Sequence, residues 1–313
     1  MGKQFIVAPL LFRLAAGRAV AALQTMQRPG GELPTCTAPD LAMAGARAYP
    51  CSVYTTTFAI HALRRHIHLP GADETLRRAG AHLRAQRNPD GSWSYEGRLT
   101  RRVPPDLDDT ACAVAALLVL GERPDLSFYR LLWEQEATPG GPYYTWVGVN
   151  GGAHLLARQV DALVNTNLLF CAALLGQPLP GALAYILDIT KQGLLDVSSV
   201  YTFTPHLLVY VLARAYADGP LPELEPALRA GLALLGDTDG VPFHTACRAN
   251  ALLALGAWPA ANRALEALLA SQGPDGAWPI AAAYSGYPPH HDGSPALTTA
   301  IALDALGRAE EAP

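Results

Sequence analysis

Charge is scarce in this chain. Of its 313 residues only 16% are charged and 50% are hydrophobic, whereas an ordinary soluble domain carries roughly a quarter charged residues, so much of the chain belongs inside. No run of lysine or arginine could track phosphates, and the formal net charge is -4, which argues against a nucleic-acid partner. The five cysteines, Cys36, Cys51, Cys112, Cys171 and Cys247, are odd in number and form no C-x-x-C pair; they read as reduced side chains of a cytoplasmic protein, three of them within apolar helical runs. No stretch reaches the roughly 18 uninterrupted apolar residues of a membrane span. The short apolar run from Phe5 to Phe12 after Lys3 is broken by Arg13 and Arg18, and no small-residue cleavage site follows, so no signal peptide is expected. Strand-like alternation, glycine-rich phosphate loops and G-x-S-x-G elbows are missing as well.

What is present is a repeat. Six segments open with small polar or ionisable residues and then turn apolar on every side: Thr55 to Leu63, Asp109 to Leu120, Asn165 to Leu175, Pro205 to Ala215, Thr245 to Leu255 and Thr298 to Leu306. Their starts lie roughly 40 to 56 residues apart, which leaves room for one further helix between neighbours. Those intervening helices are one-sided. In Glu74 to Gln86, Leu76, Ala79 and Leu83 share a face while Arg77, Arg78, His82 and Arg84 take the other, and Pro222 to Leu235 behaves similarly with Glu223, Glu225 and Arg229 outward. Uniformly apolar helices alternating with one-sided helices predict an inner ring wrapped by an outer ring: an all-α (α/α)6 barrel of six inner and six outer helices. Turn punctuation at Pro89-Asp90-Gly91, Pro139-Gly140-Gly141, Gly219-Pro220 and Pro274-Asp275-Gly276 marks the connectors. No linker divides the chain, so residues 1–313 are expected to form one domain.

Three carboxylates, Asp106, Asp108 and Asp109, stand at the entrance to the uncharged run Ala111 to Gly121. Like charges that close cannot all ionise cheaply, and an apolar wall raises their pKa values further, so at least one carboxyl should keep its proton near neutral pH. Acid chemistry on a hydrocarbon follows. Asp109 also stands where it could cap the helix that begins at Ala111. Orienting partners should come from the starts of neighbouring inner helices, where Asn165, Asn167 and His206 enter apolar runs and need partners of their own; His244 and Asn250 extend the same idea to the fifth inner helix. Aromatic faces attract a carbocation without offering lone pairs that would trap it. Trp146, Tyr201, Phe203, Phe243 and Tyr284, with Tyr143, Tyr144 and Tyr287, precede inner helices at the same end as the acids and are the candidate pocket lining.

Two connectors are near-copies. Leu83-Arg84-Ala85-Gln86-Arg87-Asn88-Pro89-Asp90-Gly91-Ser92-Trp93 returns as Leu269-Ala270-Ser271-Gln272-Gly273-Pro274-Asp275-Gly276-Ala277-Trp278, and Met26-Gln27-Arg28-Pro29-Gly30-Gly31-Glu32-Leu33 is a degenerate third copy. This pattern resembles the QW repeat of squalene-hopene cyclases and related triterpene cyclases. Asp106-Leu107-Asp108-Asp109-Thr110-Ala111 resembles the DxDDTA motif of class II terpene cyclases without a departure. The length is that of one barrel, similar to the single-domain class II cyclases of which merosterolic acid synthase is an example.

The resemblance implies an enzyme that protonates a terminal alkene or epoxide of a linear isoprenoid or meroterpenoid and drives cationic polycyclisation, ended by deprotonation or nucleophile capture. It implies Asp108 as proton donor, with Asp106 and Asp109 beside it. No metal and no cofactor are expected; magnesium would enter only with a diphosphate substrate, for which Arg98, Arg101, Arg102 and Arg158 could form a clamp or be plain solvated charge. Asp109-Thr110-Ala111-Cys112-Ala113 lacks the later aspartate of a DDxxD site, which argues against the magnesium-triggered reaction. No Asp-x-Cys pair of the zinc-binding prenyltransferases occurs. Peripheral membrane contact stays open, since a lipid substrate must be delivered. Two other readings stand: an (α/α)6 glycoside hydrolase or lyase with a second acid among Asp161, Asp196 and Asp292, and a non-catalytic isoprenoid-binding barrel.

Overall fold

The computed structural model describes residues 9–98, 103–148, 158–236, 240–285 and 290–311. Within them twelve α-helices form two concentric rings. The inner ring is α2 (Tyr54–Arg65), α4 (Leu107–Val119), α6 (Ala162–Leu174), α8 (His206–Ala217), α10 (Pro242–Ala254) and α12 (Pro295–Glu311); the outer ring is α1 (Pro9–Met26), α3 (Ala72–Gln86), α5 (Leu126–Glu134), α7 (Pro180–Lys191), α9 (Glu225–Leu234) and α11 (Trp258–Ser271). Each inner helix packs on the next, and α12 closes on α2. The N-terminal helix α1 supplies the outer cover of this seam, lying on α12 and touching α3. All six apolar runs read from the sequence are inner helices.

Burial follows the pattern that distinguishes the rings. Every residue of α6 from Ala162 to Ala172 is buried, whereas α3 buries Leu76, Ala79 and Leu83 and leaves Arg77 and Arg84 in solvent. His82, expected outward with those arginines, is turned inward, where its Nε2 pairs with the Ser52 carbonyl at 2.9 Å.

The copied connectors fold alike. In two of them the indole Nε1 donates to the carbonyl ten residues earlier, Trp93 to Leu83 (2.7 Å) and Trp278 to Leu268 (2.8 Å). The backbone N–H of Trp93, Trp278 and, in the degenerate copy, Leu33 donates to a threonine hydroxyl on the next inner helix, Thr110, Thr299 and Thr56 respectively. Gln27 and Gln272 each donate to a turn-glycine carbonyl, Gly31 and Gly276, and to a neighbouring outer helix at Thr75 and Ala15. Those two glycines have φ of 91° and 86°, and a Cβ there would meet the main chain of the next outer helix at Arg78 or Arg18. Only glycine fits both demands.

A small antiparallel sheet, in order β2-β1-β4-β3, sits at the rim that carries the inner-helix N-termini: β1 (Cys36–Ala38), β2 (Arg47–Ala48), β3 (Ala282–Ser285) and β4 (His291–Gly293). Strands of two to four residues are too short to show alternation, which is why the sequence reads as all-helical here. The sheet joins the loops before α2 and α12. The opposite end is closed by charge: Arg65 pairs with Asp304 (2.7 Å) and Asp218 (2.6 Å), while Arg308 contacts Asp304, Asp218 and Asn250. Burial alone would raise the Asp304 carboxyl, but Arg308 and Arg65 hold it well below the usual carboxylate range.

No helix among the described residues is long and apolar enough to cross a membrane. On the outer surface, Leu126, Tyr129 and Trp133 of α5 form an exposed apolar stripe at helical spacing.

Candidate active site

The three aspartates lie at the start of α4, on the rim with the sheet. Asp106 is the N-cap: its backbone is extended and its side chain accepts from the Asp109 N–H at 2.7 Å. The helix therefore starts one turn earlier than its apolar run, and the capping role expected of Asp109 belongs to Asp106. Asp109, in the first turn, is 2% exposed. Its Oδ1 has no hydrogen-bond partner among the described residues. Burial and the Asp106 charge push Asp109 well above the ordinary range, and burial brings Asp106 to about 6, so the two titrate as a coupled pair that resists double ionisation.

Asp108 differs from both. It is half-buried, in the first turn of α4. Burial and the neighbouring Asp106 charge push it up to about 7, opposed by a hydrogen bond from Asn167. Asn167 Nδ2 donates to Asp108 Oδ1 at 2.7 Å, and its own carbonyl oxygen accepts from Arg214 Nη2 at 2.7 Å. The line Arg214, Asn167, Asp108 crosses three consecutive inner helices, α8, α6 and α4.

Arg214 is 1% exposed. Its guanidinium lies 4.7 Å from the Phe58 ring centroid and 4.5 Å from that of Phe170, and Nε and Nη1 have no partner among the described residues. Among the described residues no carboxylate forms an ion pair with it. The arginine extends from α8 to α2, on the far side of the ring, and with Phe58, Phe170 and Tyr210 fills the barrel centre below the acids. The rim above this cluster, where the inner helices begin, is the mouth of the ring.

Tyrosines wall the α2 side of the mouth. Tyr54, one turn above Phe58, has a buried hydroxyl without a partner among the described residues; burial and then the Asp108 charge raise its phenol. The Tyr284 ring stands edge-on to Tyr54 at 5.1 Å and to Tyr95 at 6.0 Å. The Tyr284 and Tyr95 hydroxyls meet at 3.1 Å, and Tyr95 donates onward to Asp292 Oδ2 at 2.8 Å. Tyr49 donates to both Asp292 oxygens at 3.0 Å. Asp292, on β4, is buried, and burial raises its carboxyl against these donors. On the other side, Trp146 and Tyr201 are edge to face at 6.1 Å and both donate to Gln159 Oε1.

The remaining candidates are placed elsewhere. Asn165 uses its whole amide on main chain, bonding Tyr143 N, Tyr143 O and Asp161 O; it stands two residues from Asn167, about 200° around the helix, so the two cannot face the same side. His206 stacks on His244, centroids 3.8 Å apart, at the mouth between α8 and α10 and not on the acids. Phe203 packs with Ala38, Met43 and Ala282 under the sheet, and its ring meets His291. Phe243 is 0% exposed and cannot line a pocket. Asn250 bonds α12 main chain and Arg308 at the charged end. Arg98 and Arg158 are exposed; Arg101, Arg102 and Tyr287 lie outside the described residues. Two surface clefts, of about 500 and 240 Å³, lie beside α3 and the C-terminal part of α4, and none of the three aspartates lines either.

No protein-family model matches the chain, and no curated protein sequence does. Solved structures do. The type II terpene cyclase MstE from Scytonema is similar to it with a TM-score of 0.72 and 18% identity, over 97% of this chain and 100% of that one. A variant of that cyclase, in complex with geranylgeranyl dihydroxybenzoate described as its substrate, gives 0.68 and 18%, over 97% and 99%. The chain has their fold. An unsaturated glucuronyl hydrolase specific for heparin also matches, at 0.62 and 14% over 97% and 98%. One toroid thus serves cyclases and sugar-cleaving enzymes alike, and chemistry has to be argued from the site.

Arg214 and Tyr54 were not among the residues singled out from sequence. Arg214 had a signal: it is the one arginine in the run Pro205 to Ala215, and a lone permanent charge on an inner helix demands an explanation.

Proposed function

We propose that the protein is a class II terpene cyclase acting on a linear isoprenoid or meroterpenoid. One observation carries the reading: Asp108 holds a carboxyl near half-protonation at neutral pH and receives an amide hydrogen bond on Oδ1 from Asn167. A donor on one oxygen leaves the proton on the other, Oδ2, which is then the atom that delivers it to the alkene. As the carboxylate forms, the Asn167 amide, itself held by the Arg214 guanidinium, stabilises the charge left behind. Asp106 and Asp109 titrate as a coupled pair, and the Asp106 charge keeps Asp108 protonated between turnovers.

The cation formed moves along a wall of Tyr54, Tyr284, Trp146 and Tyr201, whose ring faces stabilise it. Deprotonation can end at the second buried acid. Tyr284 oxygen takes a proton from the last cation, its own hydrogen passes to Tyr95, and the Tyr95 hydrogen passes to Asp292, which finishes neutral. No cofactor is needed for this sequence, and magnesium would enter only with a diphosphate head group. The exposed α5 stripe supports delivery of the substrate from a lipid surface.

The sugar-cleaving alternative needs a second free acid. Asp161 is used as the α6 N-cap, bonding Leu163, Val164 and Val200 N–H groups; Asp196 is exposed; Asp292 remains, but both its oxygens are taken by tyrosines. The test is Asp108→Asn with geranylgeranyl dihydroxybenzoate and with free and diphosphorylated farnesyl and geranylgeranyl chains. The parent should cyclise at least one of them while the variant binds it and returns it linear. Unchanged linear material from the parent in every case would refute the cyclase, and equal ligand affinity with no turnover in either protein would favour a binding barrel.

A further inference from the structure

At the charged end of the ring, away from the Asp106–Asp109 cluster, two buried acceptors without partners lie on either side of the seam. His66, the C-cap of α2, is 1% exposed. Its Nε2 is 3.0 Å from the Leu303 carbonyl of α12. A carbonyl only accepts, so Nε2 carries the hydrogen and Nδ1 is left as a bare acceptor. Nδ1 is buried and has no partner among the described residues, and neither has the buried Oε1 of Glu310, the penultimate residue of α12. The ligand atoms of His66, His68 and Glu310 all lie within 4.8 Å of one another. Burying either acceptor unsatisfied is costly, and a shared cation would satisfy both at once.

We propose that His66 Nδ1, His68 and a Glu310 carboxylate oxygen bind one divalent cation of the zinc type, clasping the first inner helix to the last. Two imidazoles and a carboxylate are a zinc donor set, and small rotations of the exposed His68 and of Glu310 bring the three atoms to the roughly 2.0–2.2 Å that zinc requires. His66 is already oriented as a metal ligand is, its other nitrogen hydrogen-bonded to a main-chain carbonyl. Gly307 leaves the room: a Cβ there would come within 2.9 Å of His66 Nε2. The ring has one covalently open seam, α2 against α12, and the site spans it. This clasp is independent of the reaction at the other rim.

The experiment uses untagged, chelator-stripped full-length protein. Zinc should remain on it at one ion per chain through gel filtration, cobalt should give the absorption bands of a four-coordinate nitrogen and oxygen site, and Tm should rise by about 4 °C at a hundredfold excess of zinc over Kd. His68→Ala and Glu310→Gln should each abolish the stoichiometry, the spectrum and the shift while leaving the metal-free Tm in place. Failure of the parent to hold zinc, or retention of the ion and the shift in both variants, would overturn the proposal.

Discussion

Asn167 holds Asp108 by one oxygen only. The 2.7 Å bond from Nδ2 to Oδ1 joins α6 to α4, and the amide's remaining end is held by Arg214 from α8. The carboxyl is thus tied through one amide to a buried guanidinium two helices away.

On the proposed mechanism, in which Asp108 donates the initiating proton, turnover by the parent should fall as pH rises through about 7. Asn167→Ala should lower kcat by about 10²–10³, the range for losing one preorganised donor. The Asn167 bond favours the charged carboxylate, so removing it should also move the alkaline limb to higher pH. A kcat loss with an unmoved limb would mean that Asn167 only supports the fold.

Arg214→Met removes a buried charge that has no carboxylate partner among the described residues and replaces it with a side chain of similar length. The desolvation cost of the buried guanidinium is removed along with its bond to Asn167, so Tm should hold within a few degrees while turnover falls by about 10–100-fold. Because Arg214 acts through Asn167, the double variant should lose less than the product of the single losses. Multiplicative losses would separate the two residues.

The acid should lower the stability of the fold. Folded Asp108 titrates at about 7 against an ordinary 3.8, so between those values the native state binds more protons than the unfolded chain, and stability declines as pH rises through the window. Asp108→Asn carries no such penalty. Thermal melts should show the variant more stable than the parent at pH 8, with the difference vanishing near pH 4; a constant offset at all pH values would contradict the raised carboxyl.

Asp292→Asn should leave the first protonation intact and change how the cascade ends. Substrate consumption should continue at a reduced rate, with the product mixture shifted towards other alkene isomers or water-captured alcohols, and Tyr95→Phe should shift it in the same direction. An unaltered product profile in both would remove Asp292 from the reaction.

The rings were legible because burial is written into every turn of a helix. α6 is apolar all round and α3 on one stripe, a difference that periodicity reports directly. The sheet was not legible, since β2 has only two residues and exists through pairing with a segment that itself pairs with β4, over 240 residues away. Helix starts shifted too: α4 begins at Leu107 under an Asp106 cap, because capping depends on which carboxylate meets a free N–H, and three were on offer.

Sequence alone determined that an acidic cluster stands at the entrance to a ring of apolar helices, since composition, repeat spacing and charge repulsion are properties of the chain itself. Only the tertiary structure decided which polar groups serve those acids. Asn167 reaches Asp108 and Asn165 does not; Arg214 joins the line and His206 does not; Tyr284 faces the mouth and Phe243 is sealed in the core. Each choice is a matter of angle around a helix and distance across the ring, between residues 47 and 59 positions apart in the case of Arg214, Asn167 and Asp108, and closing the barrel is what sets both.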